Sequence, residues 1–306
     1  MSADARNAKP ILVGVDPTDS ARVALDWAVD VAAATGAPLH LLHAILGDPK
    51  AMPSRMVPPY IQEMLAAAER GGVSDDVVEI VPGSTVELLR IRARDARMVV
   101  LGSYGDGAWS GTLVGSIALG LAGHVDCPVA VVRGAAPGVP PPRSGSVIVG
   151  TDGSEAARRV VDVAAELAAA IGAGLLVVHA WTDVETTADG LHRSAEGWTV
   201  LEGAARARLD DEQLRISTEL PNLTVAGELV AATPLQALLD RAREARMVVV
   251  GHREGPAGMA GGSTMQSLIE FAPCPVVWVP TSDAREHGSE REPGPESGAD
   301  LGDRRR

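Results

Sequence analysis

Short apolar runs alternate along this chain with longer stretches in which apolar residues recur every three or four positions. The runs read as buried strands and the longer stretches as amphipathic helices. Ile11 to Val15 is the first run and ends in an acid, Asp16; Pro17 to Ser20 then supplies turn and capping residues. Ala21 to Thr35 has helical spacing through Ala24, Leu25, Ala28, Val31 and Ala32, and Gly36 is placed to stop it. Leu39 to Ala44 follows as a second strand, completing a βαβ unit. From Ile45 to Pro59 the period is lost among four prolines, which predicts a loop near a strand end, placed as a lid would be. Tyr60 to Arg70 predicts a helix, Val77 to Val81 a strand and Thr85 to Ala96 a helix. Met98 opens a fourth strand through Val99, Val100 and Leu101. A glycine-rich loop then carries Gly102, Gly105, Gly107 and Gly111 and closes on Gly115 and Ser116. Ile117 to Val125 predicts a helix, and Cys127 to Val132 a last buried strand.

The pattern then starts again. Gly134 to Gly145, with Pro137, Pro140, Pro141 and Pro142, reads as a stiff linker. Beyond it, Val147 to Asp152 answers Leu12 to Asp16, and Leu175 to Ala180 answers Leu39 to Ala44. Ala245 to Gly251 answers Ala96 to Gly102, and Cys274-Pro275-Val276-Val277 answers Cys127-Pro128-Val129-Ala130. The period is far longer than a solenoid unit, so the chain is two homologous domains rather than an array. Expected bounds are 8–135 and 145–281, joined by a linker over 136–144 and followed by a disordered tail over 282–306. The second half carries a longer middle helix, Leu191 to Leu220. Alternation of strand and helix predicts an α/β fold: two tandem five-stranded, mostly parallel sheets flanked by helices.

Composition narrows the function. The 306 residues are 46% hydrophobic but only 3% aromatic, so Val, Leu, Ile and Ala must build the core, as suits parallel strands covered on both faces. A formal charge of −13 argues against nucleic acid as a partner, because that binding rests on Lys and Arg neutralising phosphates. The basic run Arg304-Arg305-Arg306 ends a polar tail. Cys127 and Cys274 each precede Pro-Val at the start of a buried run and read as packed thiols in a reducing cytoplasm. No apolar stretch approaches the roughly 18 residues of a membrane span, and Met1 to Pro10 lacks a signal-peptide core. No metal-ligating or catalytic constellation is expected. The chain has no G-x-x-x-x-G-K-[S/T] loop, G-x-S-x-G elbow, H-E-x-x-H or C-x-x-C pair.

The glycine loop offers positive chemistry. Between a strand and a helix N-terminus, glycine leaves backbone N–H groups bare, and the helix dipole favours an anion. Gly102, two residues, Gly105, nine residues, then Gly115-Ser116 resembles the nucleotide loop of the ATP-binding universal stress proteins. Asp16 at the first strand tip is similar to that family's adenosine-contacting aspartate. The resemblance covers nearly all of 10–280 and implies a tandem protein of that family, each half a Rossmann-like sandwich of the adenine-nucleotide alpha-hydrolase kind. By resemblance, Asp16 and Ala44 lie near adenine and ribose. Gly102 and Gly105 let the loop approach the phosphates, Gly115 and Ser116 donate hydrogen bonds to them, and the flanking Leu101 and Ile117 belong to the same nucleotide-binding set. Pro17 departs from the glycine that often follows the aspartate.

Asp152, Ala180, Gly251, Gly262, Ser263 and Thr264 are the corresponding candidates in the second half. There the loop is about two residues shorter and Glu254 stands where Gly105 would be. A carboxylate facing a polyphosphate costs energy unless a metal or Arg253 offsets it, so weaker binding is expected. His43 and His179 occupy matching strand ends and read as hydrogen-bonded, half-buried side chains rather than bases; His252 lies where it could touch a phosphate.

The resemblance implies ATP as ligand, alone or with Mg2+, and a cytoplasmic nucleotide-dependent switch in stress or dormancy responses. At most slow ATP hydrolysis is expected. It also implies pairing of Val129–Arg133 with Val276–Pro280 across an intrachain pseudo-two-fold, further association into a homodimer, and a regulatory protein partner. Two alternatives stay open: an ATP-dependent enzyme of adenylyl or pyrophosphate chemistry, and a nucleotide-free interaction protein with relic loops.

Overall fold

The computed structural model describes residues 9–45, 57–73, 77–103, 116–136, 138–181, 195–252 and 263–281. Most of the expected lid over 45–59 (residues 46–56), most of the glycine loop and the tail lie outside these residues. In the first half the order is β1 (Ile11–Gly14), α1 (Asp19–Thr35), β2 (Leu39–Ile45), α2 (Pro59–Arg70) and β3 (Val77–Pro82). α3 (Thr85–Ala93), β4 (Met98–Gly102), α4 (Ser116–Leu121) and β5 (Val129–Val132) complete it. The second half repeats this with β6 (Val147–Thr151), α5 (Glu155–Ala170), β7 (Leu175–Trp181), α6 (Ala195–Glu219) and β8 (Val225–Ala231). α7 (Pro234–Ala242), β9 (Met247–His252), α8 (Ser263–Phe271) and β10 (Val276–Pro280) end it.

The two five-stranded sheets are joined into one sheet of order β3-β2-β1-β4-β5-β10-β9-β6-β7-β8. Pairs within each half are parallel. The joint is antiparallel, with Val276 opposite Val131, Val277 opposite Ala130 and Trp278 opposite Val129. Arg133 reinforces it by donating from Nη1 to the carbonyl oxygens of Ile269 and Glu270, at the C-terminal end of α8. A guanidinium there meets the negative end of the helix dipole.

Strand alternation divides the core into two layers. Ile11, Val13, Val100, Ala130 and Val132 pack with α1 and α2, and continue into Val147, Val149 and Val277 against α5 and α6. Leu12, Val99, Leu101, Val129 and Val131 pack with α3 and α4, and continue into Ile148, Val250 and Trp278 against α7 and α8. Both layers therefore run through the joint.

Helix ends differ from the periodicity where capping decides them. α1 starts at Asp19 because the Thr18 hydroxyl accepts from Ala21 N–H, and it stops at Gly36, whose φ of 66° is left-handed. α4 stops at Leu121, short of the expected Val125, because Gly123 turns left-handed at φ 74°. β5 begins at Val129 rather than Cys127, since Pro128 has no N–H for the ladder.

Candidate functional site

β1, β2 and β4 end side by side, and α3 and α4 begin beneath their tips. In an open parallel sheet, a crevice forms at such carboxyl ends where strand order reverses. A cleft of about 130 Å³ lies there, and Asp16, Ala44, Leu101, Gly102, Ser116 and Ile117 all line it. Six of the residues proposed from sequence thus share one wall. Ala44 sits within β2, one residue before its end. Gly105 and Gly115 lie outside the described residues.

Asp16 is held in an Asx turn: its Oδ1 accepts from the backbone N–H of Thr18 at 3.0 Å and from the Thr18 hydroxyl. The same hydroxyl caps α1, so one side chain fixes both the helix and the acid. Oδ2 of Asp16 makes no hydrogen bond among the described residues and remains available to a ligand hydroxyl. Gly102 has a packing reason to lack a side chain. A Cβ there would come within 2.8 Å of the backbone carbon and oxygen of Ser20, in the first turn of α1. Its glycine thus lets α1 approach β4, and the cleft inherits bare backbone.

Of the lining residues not proposed for the site from sequence, three carry polar side chains: His43, Thr85 and Ser103. His43 donates from Nδ1 to the Val15 carbonyl at 2.9 Å, because a carbonyl only accepts, and its Nε2 then accepts from the Tyr60 hydroxyl at 3.1 Å. This is the hydrogen-bonded strand-end histidine expected, but it also ties the Asp16 turn to α2. Burial, and secondarily the charge of Asp16, pushes the Tyr60 phenol upward. Ser103 is only 2% exposed and its hydroxyl has no hydrogen bond among the described residues. The signal for it was available in the alternation of β4, which puts Val99, Leu101 and Ser103 on one face.

The second half differs. Asp152 makes the matching Asx turn to Ser154 N–H at 2.9 Å, and Gly153 follows at φ 73°. Ser154 caps α5. A cavity of about 270 Å³ beside these strand tips is lined by Gly153, His179, Arg158, Arg208 and Arg215, on the α5 and α6 side. None of Asp152, Ala180, Gly251, Ser263 or Thr264 lines it, and Gly262 lies outside the described residues. Burial lowers the His179 pKa, with Arg208 acting in the same direction and Asp152 against it. Arg215 is neutralised by Glu212, Asp162 and Glu219. His252 is buried, 6% exposed, and lies edge-on to Trp278 with ring centroids 5.5 Å apart.

A larger cavity, about 350 Å³, lies at the far ends of the strands between α1, Pro140–Pro142 and Met247. Asp26 in it is raised by burial, opposed by Arg143. It is lined by no glycine and by no C-terminal strand end.

An α/β sheet with helices on both faces and a crevice at its strand tips defines a doubly wound class of fold, with the crevice where the strand order reverses. The model of the universal stress protein family matches residues 7–133 and 144–280, and the chain belongs to that family. Universal stress protein Rv2623 of Mycobacterium tuberculosis is 31% identical over 285 residues, covering 87% of this chain and 95% of the relative. Universal stress protein Rv2005c of the same organism is 29% identical over 289 residues, with the same coverage. The crystal structure of a universal stress protein from Archaeoglobus fulgidus superposes with a TM-score of 0.61 over 90% of this chain and 99% of its own, at 20% identity. At that identity the likeness speaks for the fold.

Proposed function

We propose that the first half binds an adenine nucleotide, ATP foremost, and that the protein is a nucleotide-dependent regulatory switch rather than a catalyst. The observation that supports this best is the convergence of Asp16, Ala44, Gly102 and Ser116 on one cleft at the strand tips. A bare strand-tip backbone and the hydroxyl of Ser116 suit phosphate, while the open Oδ2 of Asp16 suits a ribose hydroxyl. Mg2+ would arrive with the nucleotide, since it keeps waters and phosphate oxygens as its ligands. At most slow ATP hydrolysis accompanies occupancy of the site. The two family segments act as units over 8–135 and 145–281, with 136–144 as linker and 282–306 as a tail. The switch works in the cytoplasm in stress or dormancy responses, as a homodimer that engages a regulatory protein partner.

Mass spectrometry of gently purified protein tests the reading: co-purified ATP is expected. Calorimetric titration should show ATP binding to the wild type and none to Gly115→Glu, which sets a bulky anion in the phosphate loop. Unchanged ATP binding by the folded variant, checked by circular dichroism, would overturn the site.

A further inference from the structure

The residue after the last glycine of β4 and of β9 differs sharply between the halves. Ser103 follows Gly102, and His252 follows Gly251. Alternation points both side chains to the α3/α4 or α7/α8 face, where Leu101 and Val250 precede them. In the first half the neighbouring strand offers Val131 at the level of Leu101; in the second it offers Trp278 at the level of Val250. A hydroxyl and an isopropyl group in one half are therefore two aromatic rings in the other, packed edge to face.

The backbone at His252 is held by the neighbouring strand. β9 extends through this residue, paired with Pro280, and its carbonyl accepts from the N–H and the hydroxyl of Thr281 at 3.0 and 2.8 Å. Ser103, by contrast, lines the open cleft, nearly all of it buried, with a hydroxyl that no described protein group satisfies. A polar atom so placed is a ready partner for a ligand. In the second half, the cavity beside the strand tips lies across the sheet, against α6.

Resting on the nucleotide reading above, we propose that this position decides occupancy. Ser103 floors an open cleft and gives its hydroxyl to the nucleotide, whereas His252 on Trp278 closes the matching place, so each chain binds one adenine nucleotide, in its first half.

Calorimetric titration of the full chain with ATP gives the stoichiometry. One site is expected, and none after Gly115→Glu. Ser103→Ala should weaken binding about three- to tenfold, the loss of a single hydrogen bond, at an unchanged melting temperature. Ser103→His should abolish binding. The double change His252→Ser with Trp278→Val should add a second site; if that core substitution unfolds the protein, Ser103→His still decides. Two sites in the wild type, one of them lost and the other kept in Gly115→Glu, would overturn this inference and leave the first-half cleft standing. Wild-type affinity in Ser103→His would also overturn it. No binding at all to the wild type would overturn both readings.

Discussion

Thr18 shows how much a single side chain settles here. Its hydroxyl caps α1 and also donates to Asp16, so helix start and strand-tip acid are fixed together. Thr18→Ala should lower stability by about 1 kcal/mol, seen as a reduced urea midpoint. It should also weaken ATP binding, because the carboxylate loses its anchor; Thr18→Ser should restore both. Equal ATP affinity in Thr18→Ala would separate the cap from the site. That Asp16, Ala44, Leu101, Gly102, Ser116 and Ile117 gather at one strand-tip cleft was anticipated from the resemblance carried by the glycine spacing and the strand-tip acid. Ser103 and Thr85 were not picked out: alternation along β4 gives the face on which Ser103 lies but not that a cleft opens there, and a threonine at a helix start reads first as a capping residue. The role of Gly102 was legible only in part: its close approach to Ser20 depends on where α1 lies over β4.

At the scale of elements, each half clamps its outermost strand in the same way. In the first, Arg92 of α3 binds both carboxylate oxygens of Glu79 on β3, and His40 approaches the same group at 3.1 Å. In the second, Arg241 of α7 binds Glu228 on β8 in the same bidentate manner. Charges on terminal strands also oppose edge-to-edge pairing. The Arg92 hydrogen bond holds the Glu79 pKa below its ordinary value, against the opposing effect of burial; Arg241 does the same for Glu228. A depressed native pKa gives stability that is complete above the unfolded carboxylate value, about 4.3, and is lost as pH falls through the native one. Glu79→Gln should therefore be about 1–2 kcal/mol less stable than wild type at pH 7, with the gap in urea midpoint closing towards pH 3. A gap that stays constant with pH would show that the clamp contributes packing alone. The elements themselves were readable from apolar period, and their ends shifted only where a cap or a left-handed glycine intervened, as at Gly123. The clamps were not read, because partners on a strand and the following helix meet only when the helix folds back.

For the whole molecule, the antiparallel joint of β5 and β10 makes two repeats into one sheet with two continuous core layers. Cys127 and Cys274 flank that joint. Burial pushes their thiols up to about 11 and about 12, so neither is a reactive thiolate at neutral pH. Native protein should be inert to a thiol reagent at pH 8, and both cysteines should become reactive at one common urea midpoint. Two separate midpoints would mean that the halves unfold independently. Val277→Asp, a charge between the two sheets' shared layers, should cost at least about 3 kcal/mol and shift both thiols together. The repeat itself was plain in sequence from the paired Cys-Pro-Val runs, which supplied matching strands on both sides of the joint.

Periodicity, glycine placement and the internal repeat determined the strands, the helices and the doubled α/β plan. These are local properties, written in which positions must avoid water and which must turn. Tertiary structure alone decided that Ser103 faces the cleft while His252 is sealed against Trp278, and that the second half's cavity opens on the other side of its sheet. Those outcomes depend on which side chains of neighbouring strands share a face, and residues as far apart in the chain as His252 and Trp278 compete for that space only after folding.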